Sequence, residues 1–142
     1  MDKYKFFILA ILLLVVVAGI FFARTRTTSV QLGRLEIHAE LARTNAERTK
    51  GLSGRRNLAP QHGMLFIFDE IGRHEIWMKD MRFALDIIWL DGNKNIIDIK
   101  RNARPDSYPE LFFPHADAKY VVEVTSGMAD RSTIHVGDVV FF

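Results

Sequence analysis

Residues Gly63 to Asp91, GMLFIFDEIGRHEIWMKDMRFALDIIWLD, decide the fold. An apolar run, Gly63–Phe68, precedes a charged turn at Asp69–Arg73; IWMKDM (Ile76–Met81) and LDIIWL (Leu85–Leu90) follow. Both tryptophans, Trp77 and Trp89, fall inside this stretch. Short runs of Val, Ile, Phe and Trp broken by glycine or charged turns predict consecutive strands.

The same pattern extends on either side. Upstream, LEIHAEL (Leu35–Leu41) alternates apolar and polar residues and predicts a half-buried strand. Thr44-Asn-Ala-Glu47 matches a capping box, so Thr44 is expected to cap a short helix that stops at Gly51. Downstream, Asp91-Gly92-Asn93 predicts a hairpin turn and NIIDIK (Asn95–Lys100) the returning strand. Asn102–Pro109 reads as a loop, YVVEV (Tyr120–Val124) as a strand, and Thr125 or Ser126 as the cap of a helical turn through Asp130. The chain then turns at Gly137-Asp138 and ends as a strand. Many short strands and few helices predict a mainly β domain, a compact sandwich or flattened barrel with one or two short helices.

The 142 residues allow one globular domain, and part of the 49% apolar content lies at the N-terminus. Phe6–Phe22, FFILAILLLVVVAGIFF, is seventeen residues without a charge. As a helix it covers about 25 Å, and extension through Tyr4 and Ala23 brings it toward the roughly 30 Å of a bilayer core. The expected division is therefore a transmembrane anchor over residues 1–23, a Thr-rich linker over 24–34 and a globular domain over 35–142. A cleaved secretory signal led by Lys3 and Lys5 is the alternative for the first segment. Flanking charges are nearly balanced between Lys3 and Lys5 on one side and Arg24, Arg26 and Arg34 on the other, leaning slightly toward a cytoplasmic domain. With no cysteine, attachment of a lipid to a processed cysteine is excluded.

The high isoelectric point, near 9.0, belongs to the arm. Residues 1–34 carry five basic residues against Asp2, whereas the remainder carries 14 basic and 16 acidic residues. The basic arm suits anionic headgroups, and the domain lacks the electrostatic footprint of a nucleic-acid binder. A monomer is expected.

Catalytic constellations are sparse. Five dispersed histidines without a paired spacing predict no metal site, and no cofactor motif occurs. Ser53, in GLSGR, is not in a nucleophile elbow. Asp80 and Asp86 flank the turn between two expected strands, and an acid/base pair there needs one carboxyl in an apolar setting, as Asp86 has between Leu85 and Ile87. The structural alternative is that Asp86 accepts backbone N–H bonds and shapes the loop Met81–Ala84. Trp77 and Lys79 share one face of an expected strand and together offer a stacking and hydrogen-bonding surface for a polar ligand. Arg48 and Arg55, with Arg43, Lys50 and Arg56, form a basic stretch that is either a solvated helix and loop or a patch for an anion or headgroup. Trp77, Lys79, Asp80, Asp86, Arg48 and Arg55 are thus the candidate ligand-binding residues.

Gly51-Leu52, Gly63-Met64-Leu65-Phe66 with Phe68, Trp77-Met78-Lys79, Leu85-Asp86-Ile87-Ile88 and Gly137-Asp138 occur in the order that resembles the domain of unknown function 192 family. The resemblance covers about residues 35–142. It implies a small, compact, mostly β fold and an export signal, hence an extracytoplasmic location, and implies no particular reaction. The chain departs from the family pattern at the expected turn, where Asp80-Met81 stands for the usual Asn-Thr, and elsewhere, with Ile76 for phenylalanine, Ala84 for proline, Ser53 for methionine and Asp106 for cysteine. The sequence thus predicts a membrane-anchored extracytoplasmic binding or accessory module for a small polar ligand. The alternatives are a hydrolase using Asp86 with Lys79 or Asp80, and a scaffold recognising another envelope protein.

Overall fold

The computed structural model describes residues 3–5, 7–11 and 26–142. Its strands are β1 (Thr27–Leu32), β2 (Leu35–Ala42), β3 (His62–Gly72), β4 (Ile76–Trp77), β5 (Leu85–Leu90), β6 (Ile96–Ala103), β7 (Leu111–Phe112) and β8 (Ala118–Thr125). Beyond residue 26 the described residues also hold two short helices, α1 (Asn45–Lys50) and α2 (Met128–Ser132), and a 3-10 turn at Pro105–Ser107. Six strands form one sheet in the order β1-β2-β3-β8-β5-β6, and β4 pairs with β7 in a separate ribbon. The pairs are antiparallel except β2 with β3, whose parallel register is bridged by the segment holding α1. The expected mainly β fold with short helices is the fold observed.

All six residues of β5 are buried, because the sheet carries a core on each face. The cross-strand row Leu41–Leu65–Val122–Ile88–Ile99 faces the first core, which Met128, Ala129, Ile134 and Val140 also fill. The next row, Ala42–Phe66–Val121–Trp89, faces a second core built with Leu52, Ile76, Met78 and Phe112. Trp89 donates its indole N–H to the carbonyl of His74 at 2.9 Å, satisfying the one polar atom of a fully buried ring. The C-terminal segment lies between the two sheet edges. Phe141 bridges to Gln31 of β1, and Val139 bridges to Asn95 just before β6, so neither edge is left open at that end.

Three expectations are corrected. The stretch read as linker, 24–34, is sheet from Thr27 onward: Val30 and Leu32 alternate into the first core, and Gly33, at φ +57, turns β1 back onto β2. The charged run Asp69–Arg73 does not end its strand, since β3 continues through Gly72. α2 begins at Met128 behind Gly127, without a side-chain cap from Thr125 or Ser126. α1 has the expected capping box, with the Glu47 N–H donating to Thr44 Oγ1 (3.2 Å) and the Thr44 N–H to Glu47 Oε2 (2.9 Å). Phe6–Phe22 lies for the most part outside the described residues, among which no helix is long and apolar enough to cross a membrane.

Candidate functional site

On the second face of the sheet a cavity of about 420 Å³ opens between α1 with its following loop, the far half of β3, and the approach to β4. Its walls include Leu52, Phe66, Ile76, Trp77, Met81 and Leu85; Lys50, Asp69, Glu70 and Glu75 stand at its mouth. The size suits a small molecule.

Arg48 fixes one wall. Its guanidinium donates to the carbonyls of Arg43 and Ile67, to the Asn45 side chain and, at 3.3 Å, to Asp69 Oδ2. It also lies 5.2 Å from the Phe68 ring, and Phe68 stacks on His74 with ring centres 3.6 Å apart and planes 6° from parallel. Nε2 of His74 donates to the Glu70 carbonyl at 2.9 Å. These contacts tie α1 to β3 and engage both terminal nitrogens of the Arg48 guanidinium, which makes Arg48 a scaffold.

The floor holds a residue to which the sequence reading assigned no role. Glu123, on β8, stands in the cross-strand row Glu40–Met64–Glu123–Ile87–Lys100, with apolar Met64 and Ile87 as immediate neighbours. It is only 5% exposed and lines the cavity. Among the described residues its carboxyl makes no hydrogen bond and its oxygens open onto the cavity; burial pushes its pKa up to about 8, which leaves a neutral acid at pH 7. Gly63 makes this placement possible, because a Cβ there would lie 2.6 Å from the Glu123 carbonyl oxygen. The available signal was YVVEV itself, one acid in an apolar strand.

Of the six candidate ligand residues, two line this cavity: Trp77 and Arg48. Lys79 and Asp80 are exposed on the adjoining turn, where their backbone carbonyls receive Ser53 Oγ (2.9 Å) and the Gly54 N–H (2.9 Å). Asp80 holds a positive φ of 56 there. Arg55 points away to a two-pronged pair with Glu40, at 2.6 and 2.7 Å, and those hydrogen bonds hold the Glu40 carboxyl below its ordinary pKa.

Asp86 belongs to the other face. Only 1% exposed, it accepts the Asn102 N–H at 3.0 Å and the Ala129 N–H at 2.9 Å. It therefore accepts backbone hydrogen bonds as its structural reading expects, but from different donors: it clamps β6 and the start of α2, not the loop Met81–Ala84. With both oxygens engaged and no access to the cavity, Asp86 does not form a catalytic pair with Lys79 or Asp80. Among the described residues no cluster of His, Asp or Glu could hold a metal ion. What the cavity offers chemically is a cleft of mixed lining in which Phe66, Trp77 and aliphatic side chains share the walls with one buried acid that no protein group pairs among the described residues.

The family model DUF192, described as "Uncharacterized ACR", matches residues 27–142. The chain belongs to this family. The match begins at β1 and so includes the strand that replaces the expected linker. Two relatives, each a UPF0127 protein, come from Thermococcus gammatolerans (30% identical over 105 residues, 72% of this chain) and Thermococcus sibiricus (32% over 111 residues, 77% of this chain). The chain spans 65% and 66% of those two proteins. Among solved structures, a candidate transcription regulator from Sinorhizobium meliloti 1021 superposes with a TM-score of 0.78 at 31% identity, covering 82% of this chain and 94% of that one. A protein of unknown function from Novosphingobium aromaticivorans DSM 12444 gives 0.77 at 31% identity, covering 84% and 88%.

Proposed function

We propose that this DUF192 domain is a small-ligand binding module, and that Phe6–Phe22 holds it at the membrane on the extracytoplasmic side. One observation carries the binding reading: the cavity closes on Glu123, a buried carboxyl with no hydrogen-bond partner among the described residues. Burial among apolar neighbours disfavours the charged carboxyl, and a ligand that brings a donor to its oxygens inside the cavity offsets that cost. A catalytic reading lacks a second group, since the nearest acids, Asp69, Glu70 and Glu75, stand at the mouth and Arg48 is held by carbonyls. The anchoring is supported by seventeen uncharged residues ending within a few positions of β1, which leaves the domain close to the bilayer surface. As a module for a small ligand it needs no nucleic-acid partner, in keeping with the excess of acidic over basic residues beyond position 34.

The test is fragment binding to the full chain in detergent micelles, read at the Trp77 indole N–H by NMR. A set of small aromatic amines, alcohols and carboxylates should contain members that shift this signal while leaving that of Trp89, which is sealed in the core, in place. No shift at Trp77 from any member overturns the binding reading.

A further inference from the structure

We propose that the cavity selects an organic cation, a primary ammonium on a small apolar or aromatic body, and that Glu123 is the residue that receives the ammonium. The inference rests on the binding reading and specifies its ligand. Three features of the cavity point to a cation. The floor acid has apolar neighbours: Met64 and Ile87 flank it along the sheet, and Phe66, Leu85 and Trp77 line the same cavity. An ammonium entering that space makes a charge-assisted bond stronger than any neutral donor could, and Phe66 and Trp77 line the same cavity as aromatic groups of the kind that attract a cation.

The charged groups around Glu123 sort in the same sense. From β3 and the approach to β4 come Asp69, Glu70 and Glu75 at the mouth, with His74 held on the Glu70 carbonyl. From α1 come Arg48, whose donors are taken by carbonyls, Asn45 and Asp69, and the exposed Lys50. Along the row, Glu40 is closed by Arg55, and Lys100 lies at the far edge, 4.6 Å from the centre of the Phe112 ring. No protein cation is thus placed on Glu123 among the described residues, and the acids at the mouth draw cations inward. A carboxylate or phosphate would meet these acids at entry and Glu123 at the floor.

The proton balance gives a signature. The free acid is neutral below about pH 8, so binding an ammonium displaces one proton from Glu123 to solvent while the ligand keeps its own. Affinity should then tighten by about tenfold per pH unit between pH 6 and 8 and level off above, because the proton no longer has to be removed. A neutral ligand accepting a bond from the protonated acid would show no such gain and would weaken above pH 8.

The experiment compares 2-phenylethylamine with 2-phenylethanol on the full chain, following the Trp77 indole signal across pH 6–9, with Glu123→Gln as the matched variant. The expected result is a pH-dependent Kd for the amine that Glu123→Gln flattens and weakens by on the order of 30-fold at pH 8, the range found for stripping one partner from a buried charge pair. Binding of the alcohol should change little in the variant. Denaturant unfolding at pH 5, where both side chains are neutral, verifies that the variant is folded. An amine affinity without pH dependence, or unchanged in Glu123→Gln, overturns the assignment. Binding of the alcohol but not the amine overturns the cation while leaving the module standing. If neither probe binds, the inference falls, and the binding reading is decided by the wider fragment set.

Discussion

Replacing Asp86 by asparagine preserves its size and changes one oxygen to an NH2, which isolates its role as an acceptor. The side chain is 1% exposed, and its oxygens accept separate backbone N–H groups, Asn102 at 3.0 Å and Ala129 at 2.9 Å. Hydrogen bonds to a carboxylate contribute about 1.5–3 kcal/mol each. Asparagine can keep one of them, but its NH2 then faces the other backbone N–H, donor against donor. The expected cost is about 2–3 kcal/mol. Asp86→Ala leaves the buried Ala129 N–H without an acceptor, while the N–H of the exposed Asn102 can turn to water, and should cost about 2–4 kcal/mol, a large share of the roughly 5–15 kcal/mol that holds a domain together. Lys79→Ala is the control: its side chain is exposed, and the group of Lys79 that binds Ser53 is its carbonyl, so the change should stay within about 0.5 kcal/mol. Urea midpoints with unchanged m-values give the global numbers. Hydrogen exchange at the Ala129 amide gives the local one, because that N–H should exchange faster as α2 loses its clamp. An Asp86→Asn protein as stable as its parent, with Ala129 equally protected, would refute the clamp and return Asp86 to the candidates for a functional acid.

Glu123→Gln should stabilise the protein at neutral pH and more so at pH 8. The native carboxyl titrates near 8 and the unfolded one near 4.5, so the native state holds the extra proton between them and wild-type stability falls across that window. The gap between variant and wild type should grow from pH 4.5 to 8 to a few kcal/mol and then stay constant; denaturant midpoints at pH 5 and 8 measure it, and a gap independent of pH contradicts it. Glu40→Gln breaks the two-pronged pair with Arg55 and should cost about 1 kcal/mol at pH 7, modest because the Arg55 side chain is 35% exposed. Because the Glu40 pKa is lowered in the native state, that cost should shrink as pH falls below the ordinary carboxylate value of 4.5, and it should also shrink with added salt. For location, a reporter active only outside the cytoplasm, joined after residue 40, should give signal, and the full chain should stay with membranes through a high-salt wash; a silent reporter reverses the proposed orientation.

β5 was legible as a strand because LDIIWL is a short apolar run bounded by charged and turn residues; that cores cover it on both faces emerges only from the fold. β1 was hidden for the opposite reason. In TTSVQL only Val30 and Leu32 reach the core, so its periodicity is two residues long and reads as a polar linker. The parallel pairing of β2 with β3 leaves no local trace, since it is fixed by the loop that α1 occupies. The site was half legible: Trp77 and Arg48 stand out by type, whereas Lys79 and Asp80 are drawn out to the surface by a turn that a positive φ at Asp80 helps to form.

The two buried acids show why the rest could not be read in advance. LDI and VEV are the same signal, one acid in an apolar strand, and β5 and β8 are adjacent in the sheet. Asp86 pairs with Val124 and Ile87 with Glu123, so the acids sit one row apart. Side chains in successive rows point to opposite faces. That single step sends Asp86 to the waiting N–H groups of Asn102 and Ala129, and it sends Glu123 to a cavity where no donor waits. Register, which neither strand's sequence contains by itself, therefore decides which acid is structure and which is left free to meet a ligand.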